Sequence, residues 1–273
     1  MTLANEDLAA YLERIGYGGT LAADRATLAE LVRLHSAAIP FENLNPLLGL
    51  PVKLDSTSLV AKLVHGGRGG YCFEQNGLLQ LVLERLGFDV TGLAARVLWM
   101  MPEDSVSMRS HKVLLIALAE GPVVVDVGFG GNTLTGVLDL VPDTEQATPH
   151  ETFRLIERDG EWRQQVRIGS EWRTTYRFDL HPQLAIDYEP INWWTSTNPN
   201  SQFTRMLTAA RALPGKRIAL RNRELAEHSA GRTEQRVLSN VGEACDALGD
   251  LFGIRIPDRT AVETRIAVAF EQG

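Results

Sequence analysis

Cysteine is nearly absent from this 273-residue chain; Cys72 and Cys245 stand alone and far apart. Two distant thiols build no disulfide framework, which excludes the stapled extracellular scaffolds and points to a reducing cytoplasm. No apolar run approaches the roughly 20 residues that a bilayer-crossing helix needs. Met1 to Asp7 lacks a basic region followed by an apolar core, so no secretory signal is expected. Basic residues are in the minority, 27 against 34 acidic ones for a net charge of −7, so nucleic acid or an anionic membrane surface finds no electrostatic footprint. Metal-ligand spacing is missing too: there is no Cys-x-x-Cys, no His-Glu-x-x-His and no calcium-loop pattern, and no metal is expected. What remains is a soluble intracellular globular protein, its 44% hydrophobic residues ample for a large core.

The period of the apolar residues changes along the chain. Residues 1–87 read as helical: Leu8, Tyr11, Leu12 and Ile15 share one face before Gly16, and Leu28, Leu31, Val32 and His35 share another from about Arg25 to Ala38. A third helix is expected after Asp55 or Ser56, and a fourth from Cys72 to Gly87. From Asp89 the pattern becomes that of strands, at 90–99, 111–119 and 122–128. Residues 152–158 and 161–168 flank Asp159-Gly160, a two-residue hairpin signal, and Gly169-Ser170 turns into 171–178. Such an antiparallel meander predicts a barrel or sandwich. The Pro-, Asn- and Trp-rich stretch 182–203 reads as a connection. Beyond it, 205–211, 217–226 and 233–239 read as strands and Asn240 to Phe252 as a helix in which Cys245 is a core residue.

The chemistry concentrates around Cys72. Gly66, Gly67, Gly69 and Gly70 with Arg68 lead into the thiol, and the apolar run Leu78, Leu79, Leu81, Val82, Leu83 follows. A cysteine opening a helix meets unpaired backbone N–H groups, whose partial positive charge favours thiolate over thiol. A nucleophile of this kind needs a base, and the base needs an orienting partner. Of the six histidines, His35 lies on an apolar helix face and reads as core; His65 would have to fold back over the glycine loop. His150, His181 and His228 occupy turn-like or polar contexts and read as surface residues. His111 opens the apolar strand Val113-Leu114-Leu115-Ile116, and Asp126 interrupts the next one, Val123 to Val127. A carboxylate inside an apolar strand needs a partner. A hairpin through Glu120-Gly121 would bring Asp126 to the His111 end; satisfaction by backbone amides ahead of Gly128 is the alternative. Gly128-Phe129-Gly130-Gly131-Asn132 then reads as a tight turn, or as backbone that a bulky ligand approaches closely.

Together these stretches resemble the arylamine N-acetyltransferase family: Ile39-Pro40-Phe41-Glu42-Asn43-Leu44, Arg68 to Gly77 around Tyr71-Cys72-Phe73-Glu74, Ser110-His111-Lys112-Val113-Leu114, Val125 to Gly130, and Asn192 to Pro199 through Phe203. They run in family order over most of the first 205 residues. The resemblance implies an α+β fold of papain-like or transglutaminase-like type: a helical bundle (1–87) carrying the nucleophile, a central antiparallel β-barrel (88–182), an interdomain segment (183–204) and a C-terminal α/β lid (205–273). It implies a Cys72–His111–Asp126 triad, an acceptor pocket lined by Phe41 and Phe129, and coenzyme contacts at Ser110, Gly131 and Phe203. Ser110 replaces a frequent threonine and Trp194 a frequent tyrosine.

The activity so implied is ping-pong transfer of an acetyl group from acetyl-CoA, a co-substrate, to an arylamine, arylhydrazine or hydrazide through an acetyl-cysteine. The same three side chains also serve a cysteine hydrolase or a transglutaminase-like amidase, and a binding module that keeps the fold would leave Cys72 of ordinary reactivity. For the coenzyme phosphates, Lys216, Arg217, Arg221 and Arg223 are candidates or else a solvated strand face. The physiological acceptor, the acyl-chain preference and the oligomeric state stay open, a homo-oligomer being compatible with the sequence.

Overall fold

The computed structural model describes residues 3–229 and 231–272, Gln272 by its backbone alone. Helix α1 (Asn5–Ile15) ends at Gly16, whose left-handed φ of 71° closes the last turn. Helix α2 (Arg25–Ala38) begins where the Asp24 side chain accepts from Thr27 N. A short strand β1 (Phe41–Glu42) and a single turn α3 (Leu44–Leu47) follow. Asp55 caps α4 (Ser56–Leu59), but the expected third helix continues as a wider π-helical turn, Val60–His65. Helix α5 (Cys72–Arg85) then starts at the thiol, and its first eight residues, Cys72 to Leu79, are all buried.

Eight strands form one antiparallel sheet. They are β2 (Asp89–Val97), β3 (His111–Leu118), β4 (Gly121–Val125), β5 (Leu138–Asp139), β6 (Gln146–Ala147), β7 (Thr152–Arg158), β8 (Glu161–Ile168) and β9 (Glu171–Phe178). Their order is β5-β4-β3-β2-β9-β8-β7-β6, a nearly closed barrel. The hairpin at Asp159-Gly160 has φ of 54° and 80°, which only a turn with two left-handed residues provides. The expected hairpin of β3 and β4 forms with Leu118 opposite Gly121.

The stretch read as a plain connection is largely helical: a 3₁₀ turn (Ala185–Tyr188), α6 (Glu189–Thr197) and α7 (Gln202–Arg205). Pro190 sits within the first turn of α6, where a missing N–H costs no hydrogen bond. Four further strands follow: β10 (Thr208–Leu213), β11 (Lys216–Arg221), β12 (Glu224–Ser229) and β13 (Arg232–Val237). The single expected strand 217–226 is two, because Asn222 at φ 50° turns the chain between them. Helix α8 (Val241–Asp250) is capped by Asn240, and α9 (Arg259–Gln272) had no sequence expectation. β1 joins the edge of this second sheet, in the order β1-β10-β11-β12-β13.

Leu78, Leu79, Val82 and Leu83 of α5 pack with α1 and α2 on one side and with Leu114, Ile116, Val123 and Val125 on the other. Each fully buried aliphatic chain is worth about 1.5–3 kcal/mol. That packing fixes the start of α5 against the mouth of the β3–β4 hairpin, where the chemistry-bearing residues lie.

Candidate active site

The glycine approach to Cys72 is set by space. A Cβ on Gly69 would lie 1.9 Å from Pro40 O, and one on Gly70 would lie 2.5 Å from Glu74 Oε2. The loop is clamped from three sides. Arg68 Nε donates to Glu42 Oε1 at 2.8 Å, and Glu74 accepts from Tyr71 N at 3.2 Å and from Lys62 Nζ at 2.6 Å. Gln75 Nε2 donates to Pro40 O at 2.7 Å, while its Oε1 lies 2.7 Å from His35 Nε2. His35 Nδ1 lies 2.9 Å from the Tyr11 hydroxyl. Since the Gln75 oxygen faces it, His35 carries its proton on Nε2 and accepts from Tyr11 at Nδ1. His35 is therefore a hydrogen-bonded core residue, and burial lowers its pKa to about 4.

Cys72 is 5% exposed, and its thiol approaches Ser110 O at 3.5 Å. His111 Nε2 lies 2.7 Å from Asp126 Oδ2, both side chains buried, which leaves the other ring nitrogen for Cys72. Burial disfavours the imidazolium, but the Asp126 carboxylate and a hydrogen bond with Cys72 outweigh it and push the His111 pKa up to about 10. Asp126 Oδ1 accepts from Asn76 Nδ2 and from Gly128 N, each at 2.8 Å. The backbone-amide alternative is thus only part of its coordination. Tyr176, its ring 5.0 Å from that of His111, donates to Gln164 Oε1 at 2.7 Å; burial, then the Asp126 charge, hold its phenol far above the ordinary range.

Asn76 is a residue that sequence reasoning passed over. One turn after Cys72 on α5, it donates to Asp126 Oδ1 and to Lys112 O at 2.7 Å, and accepts from Val127 N at 3.0 Å. It ties the helix bearing the thiol to both strands bearing the imidazole and the carboxylate. The signal available was the polar pair Gln75-Asn76 inside an otherwise apolar, buried helix.

Around this centre, Phe203 stacks on Tyr71 at 5.4 Å and tilts against Phe41 at 5.9 Å, so these rings share one apolar cluster with Cys72. Phe129 meets His111 edge-on at 5.4 Å. Gly131 lies at the second sheet, where an added Cβ would be 4.0 Å from Ala219, and its carbonyl accepts from Arg217 Nη1 at 3.4 Å.

The proposed basic face needs correction. Arg217 is buried: Nε and Nη2 grip Glu151, and Nη2 also donates to Thr133 O at 2.7 Å. Lys216 pairs with Glu227 at 3.0 Å, and Arg223 donates to Leu238 O and Ser239 O. Arg221 is exposed. His150 is no free surface residue either, since it bridges Thr135 Oγ1 at 2.9 Å and Leu213 O at 2.8 Å. His181, His228 and His65 are exposed, and Cys245 is buried in the core of the second sheet. No cluster of three or more metal-ligating side chains occurs among the described residues.

A buried carboxylate–imidazole pair beside a thiol at a helix start can activate sulfur for acyl transfer. The protein-family model that matches the chain, over residues 24–261, is described as N-acetyltransferase. The arylamine N-acetyltransferase of Mycolicibacterium smegmatis is 42% identical over 267 residues, 96% of this chain and 97% of that protein. The solved Mycobacterium marinum arylamine N-acetyltransferase is similar with a TM-score of 0.94 at 40% identity, covering 96% of this chain and 100% of that one. The same enzyme solved in complex with CoA gives a TM-score of 0.93 at 40% identity, with 96% and 99% covered.

Proposed function

The chain belongs to the arylamine N-acetyltransferase family, and on that premise we propose that it transfers an acetyl group from acetyl-CoA to the nitrogen of an arylamine, arylhydrazine or hydrazide. The observation that carries the reading is the thiol of Cys72 at the start of α5 beside an imidazole held at 2.7 Å by Asp126. In this reading Cys72, His111 and Asp126 are the catalytic triad. The Cys72 sulfur, paired with the His111 imidazolium, attacks the thioester carbonyl. Backbone N–H groups at the helix start, that of Cys72 among them, receive the oxyanion. The carbon–sulfur bond to coenzyme A breaks, the departing thiolate takes the imidazolium proton, and acetyl-Cys72 remains.

An arylamine, neutral at pH 7, then attacks the acetyl carbonyl. His111 takes the N–H proton, the bond to Cys72 sulfur breaks, and the thiolate–imidazolium pair returns. Asp126 holds the ring in the productive tautomer and balances its charge. Phe41 and Phe129 serve as acceptor-pocket walls, and Ser110, Gly131 and Phe203 as coenzyme contacts; their arrangement around Cys72 and the CoA complex of the M. marinum relative support this. The division at 87, 182 and 204 into bundle, barrel, connecting segment and lid, and a cytoplasmic setting, belong to the same proposal.

Mass spectrometry after mixing with acetyl-CoA in the absence of amine tests it. An acetyl group on the peptide carrying Cys72, lost with Cys72→Ser and discharged by an aniline faster than by water, is the expected result. An unmodified Cys72 overturns the scheme, and discharge to water alone favours the hydrolase reading.

A further inference from the structure

Three arginines lie on elements that come together where the helices approach the second sheet, near enough for Arg14 to feel the charge of Arg255 and Arg211 that of Arg14. Arg14 lies in the last turn of α1, Arg211 on β10, and Arg255 just beyond α8. Arg211 Nε donates to Ala37 O at 2.7 Å, and Arg255 N donates to Gly67 O at 2.9 Å. Gly253 makes room for Arg211, since a Cβ there would be 2.8 Å from its Nη1, and the Arg255 side chain passes over Gly67, where a Cβ would be 3.4 Å from Arg255 Nε. Arg14 and Arg211 are half-buried and Arg255 is exposed.

Their partners are missing. Three guanidinium groups carry about fifteen N–H donors between them, and among the described residues only Arg211 Nε has an acceptor. Arg14 Nε is buried with no hydrogen-bond partner at all. None of the three forms an ion pair among the described residues. Burial, then the charge of Arg255, lowers the Arg14 pKa; burial, then the charge of Arg14, lowers that of Arg211. The charges that lower Arg14 and Arg211 are those of other arginines.

The fully buried arginines Arg68 and Arg217 each have a carboxylate, Glu42 and Glu151, and acidic residues outnumber basic ones in the chain. Carboxylates were available and were not placed here. The carbonyl ends of α1 and α2 attract cations, but that field is worth only about 0.3–1 kcal/mol per charge and leaves the Arg14 Nε without an acceptor. Guanidinium groups grip oxyanions bidentately.

We propose that Arg14, Arg211 and Arg255 form an oxyanion site that takes a phosphate or phosphate monoester and ties β10 and the segment after α8 to the helices behind Cys72. Thermal unfolding of the full chain, with inorganic phosphate titrated against chloride at matched ionic strength, tests it. A saturable rise is expected, reaching about 5 °C at a hundredfold excess over the dissociation constant. The rise disappears in Arg255→Gln and persists in Arg232→Gln, which removes an exposed arginine on β13. A parallel coenzyme A titration separates the sources: a coenzyme-induced shift that also vanishes in Arg255→Gln makes a coenzyme phosphate the occupant, and one that survives makes it the free oxyanion. No saturable rise in the parent, or one retained in Arg255→Gln, overturns the proposal. Because Arg255 is exposed, its replacement folds and decides the matter even where Arg14→Gln does not.

Discussion

Gly128 offers a direct test of how tightly the site is built. An alanine Cβ there would lie 2.7 Å from Cys72 Cα, 3.0 Å from Asn76 Nδ2 and 3.2 Å from Cys72 O. Its φ is outside the left-handed region, so alanine meets no backbone strain and the effect is purely steric. Carbon atoms rest at about 3.5–4.0 Å, so the start of α5 and the loop after Asp126 must part by roughly 1 Å. Neither neighbour can swing aside, one being helix backbone and the other the amide that holds Asp126. Overpacking of this kind costs about 1–3 kcal/mol, a fall of several degrees in Tm for a chain of this size. The catalytic cost is larger, since a displacement of about 1 Å at reacting groups is worth on the order of 100-fold. The assay is stopped-flow release of coenzyme A on mixing Gly128→Ala with acetyl-CoA without amine, beside thermal unfolding. Release at the parental rate with an unchanged Tm refutes the argument that this contact sets the nucleophile.

His35 makes stability acid-sensitive. Its pKa falls from 6.5 unfolded to about 4 in the native state, so its contribution is complete above pH 6.5 and is lost as pH drops toward 4. The loss is about 3 kcal/mol over that window, visible as a difference in urea midpoint between the parent and His35→Gln that shrinks with acidification; parallel curves contradict it. Arg217→Met leaves Glu151 and the Thr133 carbonyl without their buried partner and should cost about 3 kcal/mol. With the Gly131 loop released, KM for acetyl-CoA should rise several-fold while acetyl discharge from Cys72 to amine changes little; an equal loss in both half-reactions would deny Arg217 a role on the coenzyme side.

Some elements were legible because their causes are local. The extents of α1 and α2 follow from apolar spacing, the end of α1 from Gly16, and the β7–β8 turn from Asp159-Gly160. The segment 182–203 misled because proline, asparagine and two tryptophans resemble a loop, yet Asn192 is locked between the Tyr71 hydroxyl and Val52 O, and α6 forms around it. The π-helical turn after α4 and the whole of α9 left no local signature strong enough to read.

The residue types at Cys72, His111 and Asp126, and the α+β architecture they accompany, were contained in the chain itself, since a glycine-rich helix start and a charge inside an apolar strand are properties of neighbouring residues. Only the folded molecule decided that Asn76 joins three elements, that Arg217 is a buried clamp, and that Arg14, Arg211 and Arg255 form no ion pair among the described residues. Conformation is written over a few consecutive residues, whereas the partner of a charge depends on side chains that folding brings from remote parts of the chain.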